Sequence, residues 1–277
     1  VHMRCILIGY GYWGKIIKKY IDDSENFELI GIFDHQPDDL LRLDSVVKSG
    51  NIEAAFVCVP VDAHFDVTKM LLEHHIHVFC EKPLCRVSRQ VELLYQIAES
   101  NKVVLFTDYI YMVSPSIQDM KKYIYEFGKV RYIAMNIRQF GRFYPEDHVF
   151  DVIGVHMISA LAFLFETGTE DIKVTAVDVI EKGSNGLPDA GTLFFNLRDE
   201  IKGKIECSLL SIEKERKIEI LCEKGIIAFD MLGPQTIRIV SYSKNAGTKT
   251  VYECKHDEAN NLVFMLDYFY HTIKTRD

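Results

Sequence analysis

Nowhere in the 277 residues does an apolar run approach the roughly 20 residues a helix needs to cross a bilayer. The opening residues also lack the basic, apolar, small-residue order of a secretion signal, so a cytoplasmic location and no membrane partner are expected. Val1-His2-Met3 reads as a cloning remnant ahead of a native methionine and is set aside. No disulfide pattern is visible, because the seven cysteines are odd in number and scattered. Most sit in apolar strand-like runs such as Ala55-Phe56-Val57-Cys58-Val59, which suits small reduced core residues. A concentrated basic patch is missing and the net charge is -8, which argues against a nucleic-acid partner. Metal-ligand spacing is missing too. His74-His75-Ile76-His77 spans a helix end and a strand start, where contiguous side chains point apart, and no paired acid or cysteine completes a zinc set. There is no Pro/Ser-rich linker, internal repeat or low-complexity segment.

What is present has the balance of a soluble globular chain, 48% apolar and 26% charged, with length for two domains. From Arg4 to Thr107, β-branched runs alternate with amphipathic stretches, the order of βαβ units on a parallel sheet. Strands are expected at Arg4 to Ile8, Glu28 to Phe33, Ala54 to Val59, His77 to Cys80 and Val103 to Phe106. Helices are expected at Trp13 to Ile21, Ala63 to Glu73 and Ser88 to Ser100. After Pro115 the grammar changes to a helix (Ser116 to Tyr125), a strand (Val130 to Gln139), a helix around Val152 to Phe165, and then successive strands separated by polar turns. The expected fold is therefore α/β: a Rossmann doubly wound parallel sheet over residues 1–115, then an α+β domain with a mostly antiparallel open sheet over 116–277.

The first strand runs directly into Gly9-Tyr10-Gly11-Tyr12-Trp13-Gly14 and a helix-like stretch. Gly9 permits a tight turn, Gly11 lets backbone approach a pyrophosphate, and Gly14 allows close helix-strand packing. The helix N-terminus then offers unpaired N–H groups to the anion. Asp34 ends the second strand 20 residues after Gly14. A carboxylate there accepts hydrogen bonds from ribose hydroxyls and repels a 2′-phosphate, so NAD is favoured over NADP. A methyltransferase uses a similar first turn, so these residues alone leave the chemistry open.

Ala55-Phe56-Val57-Cys58-Val59-Pro60-Val61-Asp62-Ala63-His64 and His77-Val78-Phe79-Cys80-Glu81-Lys82-Pro83-Leu84 strongly resemble the Gfo/Idh/MocA family, which includes glucose-fructose oxidoreductase and inositol dehydrogenase. The resemblance covers nearly the whole chain. It implies a nicotinamide-dependent oxidoreductase in which Pro60 and His64 border the nicotinamide half of the cofactor. It also implies that the Glu81-Lys82-Pro83 turn presents its lysine to substrate and cofactor. Tyr10, Tyr12, Trp13, His35 and Glu81 join the expected cofactor contacts. Independently of the family, Lys82 follows a buried strand at the carboxyl edge of a parallel sheet, where ligands of such folds bind. An ammonium there can hydrogen-bond a substrate hydroxyl or relay its proton.

The family's second signature is an Asp and a His four residues apart on one helix. His156 matches, but the position four before it is Val152, and the nearest acid, Asp151, is five away. At about 100° per residue, five residues turn Asp151 roughly 140° from His156. Asp151 can share the site only if the helix begins after it or bulges. His156 is expected to work with Lys82 in proton transfer. Should the acid be absent in effect, the alternative is an NAD(H)-binding protein with weak or no turnover, such as a sensor or pathway partner.

Thr107 to Pro115 is similar to the segment that lines the substrate pocket in members acting on sugars and nucleotide sugars, which makes Tyr109 and Tyr111 candidates to face a sugar ring. Arg138, Arg142 and Tyr144 are candidates to hold an anionic group. The expected function is hydride transfer between NAD and a secondary alcohol of a sugar or sugar derivative. A homodimer or homotetramer is expected through an open sheet face. The chain stops soon after an amphipathic stretch, Asn260 to Ile273, where relatives usually continue, so it reads as a short or C-terminally truncated member.

Overall fold

The structure is a computed structural model that describes residues 2–141, 143, 146–183, 185–232, 235–243, 248–256 and 261–275. The chain forms two compact units, Val1–Ile110 with Asn260–Asp277, and Tyr111–Ala259.

In the first unit, β1 (Met3–Ile8), β2 (Phe27–Phe33), β3 (Ala54–Val57), β4 (His77–Cys80) and β5 (Leu105–Thr107) pair in parallel in the order β2-β1-β3-β4-β5. The helices between them are α1 (Tyr12–Asp22), α2 (Pro37–Lys48), α3 (Val61–Glu73) and α4 (Ser88–Ser100). Side chains alternate across a strand, so each sheet face has its own core. On one face, Ile6, Ile8, Ala55, Val57, Val78 and Cys80 are buried with Leu43 and Val47 of α2, Leu71 and Leu72 of α3, and Leu94 and Ala98 of α4. The sequence reading draws no helix over α2, although Pro37 at its first turn and Leu43 and Val47 four apart are the signals that fix it. The strand order reverses between β1 and β3, and that switch point is where open α/β sheets bind ligands.

The second unit contains α5 (Pro115–Glu126), β6 (Val130–Phe140), a π-helical turn (Phe150–Gly154), α6 (Val155–Phe165), and β7 (Ile172–Lys182), β8 (Pro188–Leu197), β9 (Ile201–Ser208), β10 (Leu210–Cys222), β11 (Gly225–Asp230), β12 (Gln235–Ser243) and β13 (Thr248–His256). These strands form one eight-stranded sheet in the order β13-β12-β11-β10-β6-β9-β8-β7. Only β6 and β9 pair in parallel; the other neighbours are antiparallel. Alternate residues such as Ile133, Met135 and Ile137 of β6 and Ile218 and Ile220 of β10 are fully buried, the pattern of a sheet covered on one side. The covering helices bury Ile117, Met120 and Ile124 of α5 and Met157, Ala160, Leu161 and Leu164 of α6.

The last helix, α7 (Asn261–Thr275), belongs to the first unit, whereas the sequence boundaries put its residues with the second domain. The reason is aromatic. Phe269, fully buried, lies 5.6 to 6.0 Å from the rings of Phe27, Phe56, Phe79 and Phe106, which line the sheet face that α2, α3 and α4 leave open. Asn26 also donates to Asp267 at 2.9 Å. Truncation to Phe269→Ala removes one ring from four neighbours and is expected to cost about 3–5 kcal/mol, read as a lowered denaturation midpoint with an unchanged slope.

Candidate active site

At the switch point, the end of β1 is tied down on both sides: Gly9 N–H donates to Phe33 O at 2.8 Å and Cys58 N–H donates to Ile8 O at 2.7 Å. Gly9 has φ +92°, and a Cβ there would lie 2.6 Å from the Cys58 backbone. A Cβ on Gly14 would lie 2.1 Å from Gly9 O. Gly11 differs, because a Cβ there meets nothing within 4 Å. It opens α1, whose N-terminus carries no side-chain cap and no acidic residue in its first turn. The turn thus presents a helix N-terminus without a side-chain cap and open space together, which fits a pyrophosphate. Beside it, burial pushes the Asp34 carboxyl upward, but hydrogen bonds from the His35 side chain and backbone and from Tyr10 N–H outweigh this and hold it below the usual range. Asp34 is therefore an ionised acceptor. Arg42, the nearby cation on α2, is engaged with Asp39 at 3.2 Å and the Phe33 ring at 5.5 Å. Tyr12 is exposed and meets Trp13 edge to face.

Three turns meet at the carboxyl ends of β3, β4 and β5. Pro60 opens α3, and His64 on its first turn is buried with both ring nitrogens on main-chain carbonyls, Pro83 O at 2.8 Å and Val59 O at 2.9 Å. A neutral ring has one N–H to give, so it donates to one carbonyl at a time. Burial outweighs the pull of the two acceptors and keeps the His64 pKa below its ordinary value. Arg86 adds a second clamp to Asp62 at 3.0 Å. Between these clamps lies the Glu81-Lys82-Pro83 turn, with a cis Lys82–Pro83 peptide, a half-buried Lys82 and a buried Glu81.

In the second unit, His156 is buried on the first turn of α6, and its ring meets that of Tyr111 edge to face at 5.2 Å. Tyr111 is itself buried, and its hydroxyl accepts from Arg216, whose guanidinium also lies over the ring and donates to Gln139 at 3.2 Å. The π-helical turn Phe150–Gly154 leads directly into α6. A turn closed by i→i+5 bonds takes in one more residue than an α turn, so Asp151 lies nearer the helix face of His156 than a continuous α-helix would place it. Gly154 lets this turn sit against β9, since a Cβ there would press on Cys207 Sγ at 3.0 Å. The Asp151 carboxylate pairs with His148 at 3.1 Å.

A profile described as an oxidoreductase family with an NAD-binding Rossmann fold, GFO_IDH_MocA, matches residues 3–109. Over that stretch the chain is similar to the Gfo/Idh/MocA family. It is an oxidoreductase with a Rossmann fold of the NAD-binding type. Along its length the chain is 26% identical to the UDP-N-acetylglucosamine 3-dehydrogenase of Acidithiobacillus ferrooxidans, over 95% of this chain and 84% of that one. It is 21% identical to the inositol 2-dehydrogenase of Rhizobium meliloti, over 86% and 79% of the two chains. Among solved structures, the Actinomadura kijaniata 3-ketoreductase KijD10, in complex with NADP and TDP-benzene, superposes with a TM-score of 0.84 at 13% identity. That match covers 99% of this chain and 90% of the other. At such identity the likeness shows the fold alone.

Gly9, Tyr10, Gly11, Tyr12, Trp13, Gly14, Asp34, His35, Pro60, His64, Glu81 and Lys82 all lie at or next to the carboxyl edge of the first sheet. Tyr109 follows β5 there, and burial pushes its hydroxyl up to about 12. Arg138 is paired with Glu206 at 2.6 Å, and Arg142 and Tyr144 lie outside the described residues. Three groups escape the sequence reading. His148 stands three residues before Asp151, a spacing that was the available signal; Arg216 and Asp108 are brought in only by strand register. Among the described residues no group of three metal-ligating side chains occurs, and no helix is long and apolar enough to cross a membrane.

Proposed function

We propose that the protein transfers hydride between NAD(H) and a secondary alcohol of a sugar or nucleotide sugar, with Lys82 and His156 handling the proton. The observation that carries the reading is Gly11, whose Cβ would meet none of the described residues within 4 Å, set between two glycines that the packing does require. Space reserved over an uncapped helix N-terminus is space for a phosphate group. The substrates for which two relatives are named, UDP-N-acetylglucosamine and inositol, support the substrate class. Bound nicotinamide supplies the hydride chemistry. The chain's own part is to orient the alcohol and move its proton: the Lys82 ammonium hydrogen-bonds the substrate oxygen and, once deprotonated, accepts the hydroxyl proton. His156 is its partner in the relay, and Asp151, one π turn earlier, is the acid that would orient it.

The ionised Asp34, which attracts ribose hydroxyls and repels a 2′-phosphate, and an Arg42 turned to Asp39 support the choice of NAD over NADP. A homo-oligomer and a cytoplasmic location complete the reading. Titration of intrinsic fluorescence is expected to give tighter binding of NADH than of NADPH, and Asp34→Asn to narrow that ratio by about tenfold. A change in NADH absorbance that depends on an added nucleotide sugar or polyol is the expected sign of turnover. Tight NADH binding with no such change across a broad panel would favour the alternative, a cofactor-binding protein with little or no turnover.

A further inference from the structure

Thr107 of β5 lies opposite Cys80 of β4, so the next residues, Asp108 and Glu81, leave adjacent parallel strands side by side. The main chain fixes both: Asp108 N–H donates to Cys80 O at 2.9 Å, and Glu81 N–H donates to Val57 O at 3.0 Å. The two carboxyl groups lie within side-chain hydrogen-bonding reach of each other and are only 7% and 2% exposed for Glu81 and Asp108. A hydrogen bond between two carboxyl groups needs a proton on one of them. Glu81 Oε1 and Asp108 Oδ1 take no hydrogen bond from the described residues, so donors for two carboxylates are lacking. The Lys82 charge reaches both carboxyl groups, but only Glu81, among the described residues, also accepts from Lys82 N–H.

We infer that Asp108 is a neutral acid that donates its proton to Glu81, so that the pair places one fixed negative charge against Lys82 and sets the orientation and protonation of that lysine. Both acids are positioning residues, and their effect on turnover rests on the role given to Lys82 above. Burial lifts Glu81 to about 7, against the attraction of Lys82, and raises Asp108 well above the usual carboxylate range, with the Glu81 charge adding to it. Asp108 is the more deeply buried of the two and Glu81 has the Lys82 N–H, so Glu81 is the member assigned the charge and Asp108 the one that keeps the proton. The other titratable groups facing the pair are Cys58 after β3, Cys80 of β4 and Lys82, and the thiols of Cys58 and Cys80 are held neutral by burial. Between the ordinary carboxyl range and about pH 7 the folded state binds the extra proton, so the pair's contribution to stability is lost as pH rises through about 7.

The test is infrared spectroscopy of the full-length protein in water and deuterated water, with the pH dependence of activity and of the unfolding midpoint. Above pH 7 the wild type is expected to show the carbonyl band of a protonated carboxylic acid, sensitive to deuterium, absent from Asp108→Asn and retained in Lys82→Met. The amide of Asp108→Asn still donates to Glu81, so the ionisation near pH 7 in the activity and stability profiles should stay within about half a pH unit. Glu81→Gln should remove that ionisation from both profiles. If the band is missing from the wild type, or Asp108→Asn moves the ionisation toward acid by a unit or more, Asp108 is ionised and the inference fails. The infrared result stands whether or not a sugar substrate turns over, which separates this failure from failure of the proposed activity. A merely structural role would change amounts of folded protein without moving the ionisation.

Discussion

Lys82→Met is expected to bind NADH within about twofold of wild type while kcat falls by roughly 100- to 10,000-fold, the range that positioned proton transfer contributes. Methionine keeps most of the lysine stem and none of its charge, so packing of the half-buried stem is largely preserved. Hydride cannot leave the carbinol carbon unless its hydroxyl loses a proton, and a thioether neither donates to that oxygen nor accepts from it. Lys82→Arg should not rescue, because a guanidinium stays protonated and has no base to offer. His64 and Arg86 hold the flanks of the turn through backbone and through Asp62, so the main chain should keep its course in the variant. His156→Ala should also lower kcat, with NADH affinity unchanged. Steady-state rates alongside fluorescence titration check both, and retention of wild-type turnover in the two variants would remove the assigned chemistry while leaving cofactor binding intact.

Gly11→Ala and Gly14→Ala are expected to fail in opposite ways. Gly14 has no room: its Cβ would stand 2.1 Å from Gly9 O, an atom of a turn pinned to β2 and β3. Relief requires moving α1 off the sheet, at a cost of about 2–4 kcal/mol, and the nucleotide turn is distorted with it. Gly11 has φ -75°, which alanine adopts without strain, and its Cβ would enter open space. Stability should therefore stay within about 0.5 kcal/mol of wild type. The methyl group nevertheless stands where a pyrophosphate would approach, and NADH affinity should fall about tenfold or more, close to 1.4 kcal/mol per decade. Denaturant unfolding paired with NADH titration checks the contrast. If Gly11→Ala binds as wild type does, the open space at residue 11 is not a phosphate cradle.

Much of the first sheet was legible because buried parallel strands write themselves as unbroken apolar runs, and Ala55 to Val59 is one. The glycine turn was legible for a similar reason, since strand, turn and helix are contiguous in sequence. What depends on pairing over distance was not. Glu81 and Asp108 become neighbours through the register of β4 on β5, and nothing near either residue announces the other. Arg216 reaches Tyr111 across 105 residues. The five-residue spacing of Asp151 and His156 was read against an α turn, whereas a π turn occupies Phe150–Gly154, and nothing in the sequence signals it. Helix α2 was hidden because charged residues crowd its sequence, and the strand β13 because it is a polar edge of its sheet.

The placement of Phe269 also sets an order of events for chain synthesis. Residues 2–110 contain every strand of the nucleotide-binding sheet, yet the rings of Phe27, Phe56, Phe79 and Phe106 wait for a partner translated about 160 residues later than the last of them. Until α7 leaves the ribosome, a nascent chain must carry an apolar aromatic surface in water, the kind of patch that recruits chaperones or aggregates. Completion of the earliest-made half is thus a late, long-range step, and the two ends of this polypeptide mature together.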